Sequence, residues 1–204
     1  MIDTPNDLTE RLTHAMLACV RDHGWRGLTM ERFATAADLT PAELYAVCPG
    51  RTELLNMFAR HIDLASVAGI GPVPDDPDAR FDQLLDIMMM RFEALQPHRD
   101  SVAVIIQDVM REPETLLGLL PQSQRSFAFV AKMSGFPHDG VRGKVFAKAL
   151  SAVWLSTQRV WLRDESAELT ETMHALDRNL RRALETLAPF LGRELAPLKP
   201  AEED

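Results

Sequence analysis

The 204-residue sequence lacks several features that would each indicate a particular class of protein. Its two cysteines, Cys19 and Cys48, are too few for a disulfide framework and have no metal-ligand spacing around them, so we expect small buried side chains. No run of about 18 uncharged apolar residues occurs, so we expect no transmembrane helix and no stable membrane insertion. The apolar fraction of 46% and the charged fraction of 25% are typical of an ordinary globular protein.

Positive charge is also scarce, since 22 Lys and Arg stand against 30 Asp and Glu and give a net charge of -8. A protein that binds nucleic acid over a wide surface usually has a basic domain, so this composition leaves room only for a small basic patch.

The N-terminal stretch MIDTPNDLTERL has neither the basic nor the apolar segment of a signal peptide. These observations predict a cytoplasmic protein.

Side-chain groupings that support catalysis are missing as well. The six histidines are scattered along the chain without metal-ligand spacing. No glycine-rich phosphate loop and no nucleophile motif is present. We therefore predict that the protein is not an enzyme, and that it has no catalytic residues, no metal site and no cofactor.

The sequence does contain helical periodicity along nearly its whole length, without a convincing alternating strand, which predicts an all-α fold. A first apolar stripe ends at Gly24, and Thr29 is placed to cap a second helix. A tight turn is expected at Asp38. Thr40 and Pro41 then open a third, short helix, because a cap followed by proline is a preferred helix start.

Longer helices follow these three. A fourth helix is predicted at 51–64, and the stretch 69–78, with two glycines and three prolines, is the one clear linker. Beyond it we expect helices at about 81–95, 99–111, 114–134, 141–163 and 169–191, with a break at Pro121. About nine helices then form a head at 1–50, a connecting helix at 51–68, a helical body at 78–192 and a flexible tail at 193–204.

The short helices meet the physical demands of a helix-turn-helix in order. Small residues such as Ala34 precede the turn and allow the two helices to pack closely. Thr29 and Thr40 cap helices whose first backbone N–H groups can meet phosphate. Tyr45 and Arg51 supply side chains that could reach phosphates or base edges. Surface packing of Tyr45 and a merely solvated Arg51 remain alternatives.

The stretch HGWRGLTMERFATAADLTPAELYAVCPGRTELL, residues 23–55, resembles the DNA-binding head of the tetracycline-repressor (TetR) family. The likeness runs without a gap over about residues 8–64, in register at His23, Gly24, Thr29, Ala34, Ala37, Leu39, Thr40, Leu44, Tyr45, Pro49, Arg51, Leu54 and Leu55. It implies a three-helix helix-turn-helix head and a helical-bundle body for ligand binding and dimerisation. The residues that it implies at DNA are Thr29, Arg32, Thr40, Pro41, Ala42, Tyr45 and Arg51.

The head departs from the family pattern in ways that weaken a grip on DNA. Val47 and Cys48 stand where the family usually has a polar residue and an aromatic one. Glu43 lies on the recognition helix, where phosphate would repel it unless it accepts a hydrogen bond from cytosine. Residues 1–65 contain six Arg, no Lys and nine acids, so few groups can neutralise phosphate, the best candidates being Arg26, Arg32 and Arg51.

The predicted body is rich in methionine and aromatic residues, as adaptable apolar pockets are. The resemblance implies a pocket there, for which the candidates are Met88, Phe92, Met110, Phe127, Met133, Trp154 and Trp161. Ordinary core packing is the alternative for each of them. The leucine seam at 169–191 fits either intramolecular core or the dimeric bundle that the family forms with its last two helices.

The resemblance to the TetR family implies a function as well as a fold. It implies a homodimeric repressor that binds a palindromic double-stranded operator and is released by a small apolar ligand, because two-fold protein symmetry matches a palindrome.

A second resemblance favours an alternative function. The stretch KALSAVWLSTQRVWLRDESAELTETMHALDRNL, residues 148–180, is similar to the C-terminal region of the lipid-binding accessory proteins of ubiquinone biosynthesis, which share the TetR-like fold. It implies a lipid- or isoprenoid-binding accessory protein that no longer binds DNA. The membrane-associating terminal helix of those proteins is not evident here, since this chain ends in PLKPAEED.

Overall fold

The computed structural model describes residues 5–191, in which helices and connecting turns occur without a strand. Within residues 5–191, nine α-helices follow in order: α1 Pro5–Gly27, α2 Met30–Ala36, α3 Pro41–Val47, α4 Arg51–Ser66, α5 Pro77–Leu95, α6 Arg99–Val109, α7 Pro113–Met133, α8 Gly140–Trp161 and α9 Thr170–Leu191. A 3-10 turn, Gln96–His98, precedes α6. The all-α prediction is confirmed within this range, and the tail predicted at 193–204 lies outside it.

No helix among the described residues is both long enough and apolar enough to cross a membrane.

The first helix ends where the sequence predicts. The backbone leaves helical geometry at Gly24, with φ 70 and ψ 166, a conformation that glycine adopts without steric cost. One further turn buries Trp25 and Leu28 completely or nearly so before the chain enters α2. Thr29 then caps α2 by accepting a hydrogen bond from the backbone N–H of Arg32 at 3.3 Å.

The described residues divide into two compact units. Of the described residues, unit 1 contains 5–64 together with Leu95–Gln122, and unit 2 contains Ala65–Ala94 together with 123–191. These units do not coincide with the predicted head and body, because α6 packs along α1. The Ser101 hydroxyl of α6 donates to the Leu17 carbonyl of α1 at 3.2 Å, so a segment assigned to the body completes the head.

The predicted break at Pro121 is wrong, since α7 runs continuously through it. Proline has no N–H to donate, so the carbonyl of Leu117 loses its helical partner. Both residues are exposed, and Leu117 is 67% exposed, so water can replace the missing donor. Solvent exposure therefore allows a proline that would interrupt a buried helix.

In unit 2, α8 and α9 pack along each other as neighbours joined by a short link. The seam of α9 faces this packing, because Leu176, Leu180 and Leu184 are at most 4% exposed. Met173 breaks the seam, since it is 42% exposed. The described part of the leucine seam is therefore mainly intramolecular core.

Asp164, in the link between α8 and α9, is fully buried and fixes the start of α9. Its carboxylate accepts hydrogen bonds from the backbone N–H and hydroxyl of Thr172, at 2.8 and 2.7 Å, and from the same two groups of Ser166. Burial acts to raise the pKa of Asp164, but these four hydrogen bonds outweigh it and lower the pKa to about 2. The four hydrogen bonds thus stabilise the ionised form of Asp164 in the folded protein.

We predict that Asp164→Asn lowers the free energy of unfolding by about 2–3 kcal/mol, because an amide cannot accept all four hydrogen bonds. Since the folded-state pKa lies below the ordinary value of 3.8, the stabilisation is present above about pH 4 and is lost as the pH falls toward 2. Urea denaturation at pH 7 and at pH 3 measures both effects. The variant should lose less stability than the native chain between these two pH values.

Asp139→Asn is the matched control, because Asp139 occupies the capping position of α8 but its side chain makes no capping hydrogen bond. We expect this change to cost less than about 0.5 kcal/mol. Equal losses from the two substitutions would contradict the role of Asp164.

Candidate functional site

The helix α3 presents nearly all of its surface to solvent. Leu44 is its one buried residue, and Tyr45 on the next position is 71% exposed. Pro41 and Ala42 of the first turn are exposed too. A seven-residue helix that buries a single side chain contributes little to a core, so its outer face is the first candidate for a functional surface.

Local hydrogen bonds fix α3 in place. Asp38 adopts a left-handed conformation with φ 53, and the Leu39 N–H donates to the Ala34 carbonyl at 3.0 Å, which closes the turn after α2. The Thr40 hydroxyl accepts from the Glu43 N–H at 3.3 Å, and the Glu43 carboxylate accepts from the Thr40 N–H at 2.9 Å. This reciprocal pair is a capping box.

The capping box changes the interpretation of Glu43. Its carboxylate also accepts from the Thr40 hydroxyl at 2.7 Å, so it folds back on its own helix start and does not extend toward a groove. The backbone hydrogen bond from Thr40, followed by the side-chain one, lowers the pKa of Glu43, so the group stays ionised. The predicted repulsion between Glu43 and phosphate therefore acts at the start of α3. The Thr40 hydroxyl there is already hydrogen-bonded to Glu43.

The sequence carries the signal for this box, because a Thr followed three residues later by Glu is its usual pattern. That pattern runs from Thr40 to Glu43 and was available without a structure.

Two of the predicted contact residues lie at the exposed start of α2. Thr29 and Arg32 are both exposed, and the Arg32 guanidinium donates to the Gly27 carbonyl at 2.8 Å. With Pro41, Ala42 and Tyr45 of α3, they give an exposed set on the helix-turn-helix, which we call the α2–α3 face and define as Thr29, Arg32, Pro41, Ala42 and Tyr45.

Arg51 is not exposed in this way. Its guanidinium donates to the Trp25 carbonyl at 3.2 Å and to Glu112 at 3.4 Å, and it stacks over the Trp25 ring at 5.3 Å. Only 32% of its side chain is exposed. The Arg51 guanidinium, which the sequence predicts at phosphate, is therefore engaged in contacts within unit 1. One of its partners is Glu112, a residue that the sequence pattern does not single out.

Most of the predicted pocket residues come together in unit 2. Phe92 stacks on Trp154 with ring centroids 4.1 Å apart, and Trp161 lies 5.8 Å from Phe92. The Arg91 guanidinium lies 5.0 Å from the rings of both Phe127 and Trp154. Phe92 and Trp161 are fully buried, so in this structure the cluster is packed core.

The other three candidates differ from one another. Met88 is fully buried, and Met133 is half-buried at the end of α7. Met110 does not join them, because it belongs to unit 1 and is 61% exposed. The buried stripe of α6 contains Val109, and the next residue along a helix points about 100° away from it, which turns Met110 to solvent.

The residues behind the second resemblance have structural roles. Asp164, Ser166 and Thr172 form the cap of α9 described above. Asp177 pairs with Arg181 at 3.0 Å, one helical turn away, and the Arg181 guanidinium lies 4.5 Å from the Phe81 ring. These contacts give Asp164, Ser166, Thr172 and Asp177 structural roles that need no lipid, and lipid binding stays a prediction.

No protein-family model matches the sequence, and no curated protein is significantly similar to it. Solved structures do share its fold. A TetR transcriptional regulator from Nitrosomonas europaea matches with a TM-score of 0.66 and 16% identity, over 86% of this chain and 97% of that one. Another from Rhodococcus sp. RHA1 matches with a TM-score of 0.60 and 16% identity, over 89% and 97%.

These likenesses establish the fold. The chain has the fold of the TetR transcriptional regulators, as the resemblance of its head predicts.

We predict that Thr40→Val lowers the free energy of unfolding by about 1 kcal/mol, because it removes both hydrogen bonds of the Thr40 hydroxyl, the one from the Glu43 N–H and the one to the Glu43 carboxylate. Amide hydrogen exchange in α3 should also become faster. Thr35→Val is the matched control, since the Thr35 hydroxyl donates only to the Glu31 carbonyl of its own helix, at 3.1 Å. Unchanged exchange in α3 of Thr40→Val would contradict a stabilising box.

Proposed function

We propose that this chain, which has the fold of the TetR transcriptional regulators, is a DNA-binding regulator and not an enzyme. The observation that carries the proposal is the α2–α3 face, where a short, firmly capped helix buries only Leu44 and leaves Tyr45 71% exposed. A helix of this kind fits the recognition helix of a helix-turn-helix, which enters the major groove of double-stranded DNA. Tyr45 and Arg32 are the side chains best placed to contact the duplex.

The charge of the head sets the character of this binding. Residues 1–65 carry six Arg, no Lys and nine acids, so few phosphates can be neutralised. Affinity that depends on counterion release is therefore small, and the salt dependence of binding should be shallow. Recognition then depends more on contacts to base edges than in a strongly basic head.

Fluorescence anisotropy with the intergenic DNA upstream of the gene tests the proposal. We expect binding that prefers this DNA to a random duplex and weakens as salt is added. Tyr45→Ala should weaken binding about tenfold, because it removes a large exposed side chain and its hydroxyl from the contact surface.

Leu64→Ala is the matched control, because Leu64 is 62% exposed in unit 1 but lies on α4, away from the α2–α3 residues in the chain. Its affinity should stay within about twofold of the native value. Equal binding to all DNA sequences, or no binding by the native chain, would refute the regulator proposal.

We also propose that the regulator is a homodimer that binds a palindromic operator. The support is apolar exposure on the last two helices: Val141 and Leu155 of α8 are 72% and 55% exposed, and Met173 and Phe190 of α9 are 42% and 43% exposed. Val141 and Leu155 lie two heptads apart and so share one side of α8. An isologous interface between two copies would cover such a surface and match two half-sites.

Leu155→Glu should convert a dimer to a monomer in sedimentation velocity, because a charge buried in an apolar interface is strongly unfavourable. Leu120→Glu is the control, since Leu120 is 57% exposed but lies in unit 1. A native chain that sediments as a monomer would contradict the proposal, and so would a Leu155→Glu dimer.

A cytoplasmic repressor released by a small apolar effector completes the proposed function. The support is the aromatic cluster in unit 2, where the half-buried Trp154 stacks on Phe92 and would be the first side chain to meet an entering apolar molecule. Such a ligand would bind by separating side chains that pack on one another here, which selects a conformation with a different packing of unit 2.

A further inference from the structure

The Glu112 carboxylate lies where the end of α1 meets the start of α4. It accepts a hydrogen bond from the Arg51 guanidinium at 3.4 Å and lies 4.0 Å from Nε of Arg26. The Thr115 hydroxyl donates to it at 2.9 Å, which fixes its orientation from the first turn of α7. Only 12% of the Glu112 side chain is exposed, so protein contacts and not solvent surround its carboxylate.

A second acid supports the first in the same place. Asp108, on the last turn of α6, accepts from the backbone N–H of Arg26 at 3.4 Å and lies 3.9 Å from the Arg111 guanidinium. All of these groups belong to unit 1. The end of α6 and the turn after it therefore hold the end of α1 in two ways, through the Arg26 backbone at Asp108 and through the Arg26 and Arg51 guanidinium groups at Glu112.

The two arginines that meet Glu112 flank the helix-turn-helix in the chain. Arg26 comes three residues before the Thr29 cap, and Arg51 is the first residue of α4, directly after the turn that ends α3. They were two of the three phosphate-binding candidates in the sequence. A guanidinium recognises carboxylate and phosphate with the same donors, so Glu112 is paired with two groups that a DNA phosphate would use.

The contacts are loose enough to be exchanged. Charge-assisted N–H···O bonds are commonly about 2.7–2.9 Å long, whereas the two Glu112–arginine distances are 3.4 and 4.0 Å. The Arg26 side chain is also 66% exposed, so a phosphate from solvent can reach it. Water and salt already compete with such a pair.

We propose that Glu112 acts as an internal competitor of DNA phosphate, which holds Arg26 and Arg51 and so limits the affinity of the head for DNA. The proposal rests on the proposed function and adds a regulatory contact to it. Any change in unit 1 that separates the turn after α6 from the end of α1 would release Arg26 and Arg51 from Glu112, and Arg51 would then be held only by its contacts with Trp25.

The test compares Glu112→Gln with Glu114→Gln, since both remove one negative charge within the same three residues. Glu114 is exposed in the first turn of α7. The probe is a short random-sequence duplex, because phosphate contacts are independent of base sequence. Glu112→Gln should bind roughly threefold to tenfold more tightly at about 0.1 M salt, with a slope of log affinity against log salt steeper by about 1–2.

Glu114→Gln should leave the slope unchanged, and adding Arg51→Met to Glu112→Gln should cancel much of the gain. Glu112→Asp keeps the net charge but shortens the side chain by one methylene, so it should give an intermediate gain and carries the test if Glu112→Gln folds poorly. Equal gains from the Glu112→Gln and Glu114→Gln variants, or no gain from Glu112→Gln, would overturn the proposal.

The same measurements separate this inference from the regulator proposal. If the native chain binds DNA and the Glu112 variants bind no more tightly, only the competitor is refuted. If the native chain does not bind and Glu112→Gln does, the competitor is supported. If no variant binds any duplex, both are refuted.

Discussion

The packing of α6 along α1 is the constraint on which unit 1 depends. α6 buries Val102, Ile105 and Val109, and the hydrogen bond from Ser101 to Leu17 joins residues 84 positions apart in the chain. Because α6 is held there, its C-terminal end carries Asp108 and Glu112 to the end of α1 and the start of α4. The entry of the chain into α2 and its exit from α3 are thus both fixed from outside the helix-turn-helix.

The same packing explains why the head is not a separate domain. Residues 5–64 and Leu95–Gln122 form one unit, because α6 packs along α1. A signal at the α6 end of unit 1 therefore has a direct physical connection to the helices that present Tyr45. In the proposed regulator, the packed helix α6 would be the coupling element, without a long chain of side-chain contacts to the α2–α3 face.

The parts of the head that the sequence predicts well are those decided within four residues. The caps at Thr29 and Thr40 and the helix end at Gly24 follow from the conformations and hydrogen bonds of those residues alone. The role of Glu43 is equally local, because its partner Thr40 lies three residues before it on the same helix start. The roles of Arg51 and Met110 could not be predicted, because they depend on which distant surface meets each helix face. At Pro121 the deciding quantity was solvent exposure, which no local pattern contains.

The capping box of α3 has a kinetic consequence for a DNA-binding protein. Because Glu43 supplies the negative charge that the start of α3 favours, a phosphate gains less there than at an uncapped helix end. Together with a net charge of -8, this gives weak long-range attraction to the duplex and brief residence on random sequence. For the proposed regulator, we therefore expect a search of DNA by repeated encounters from solution, with little time spent sliding along the duplex.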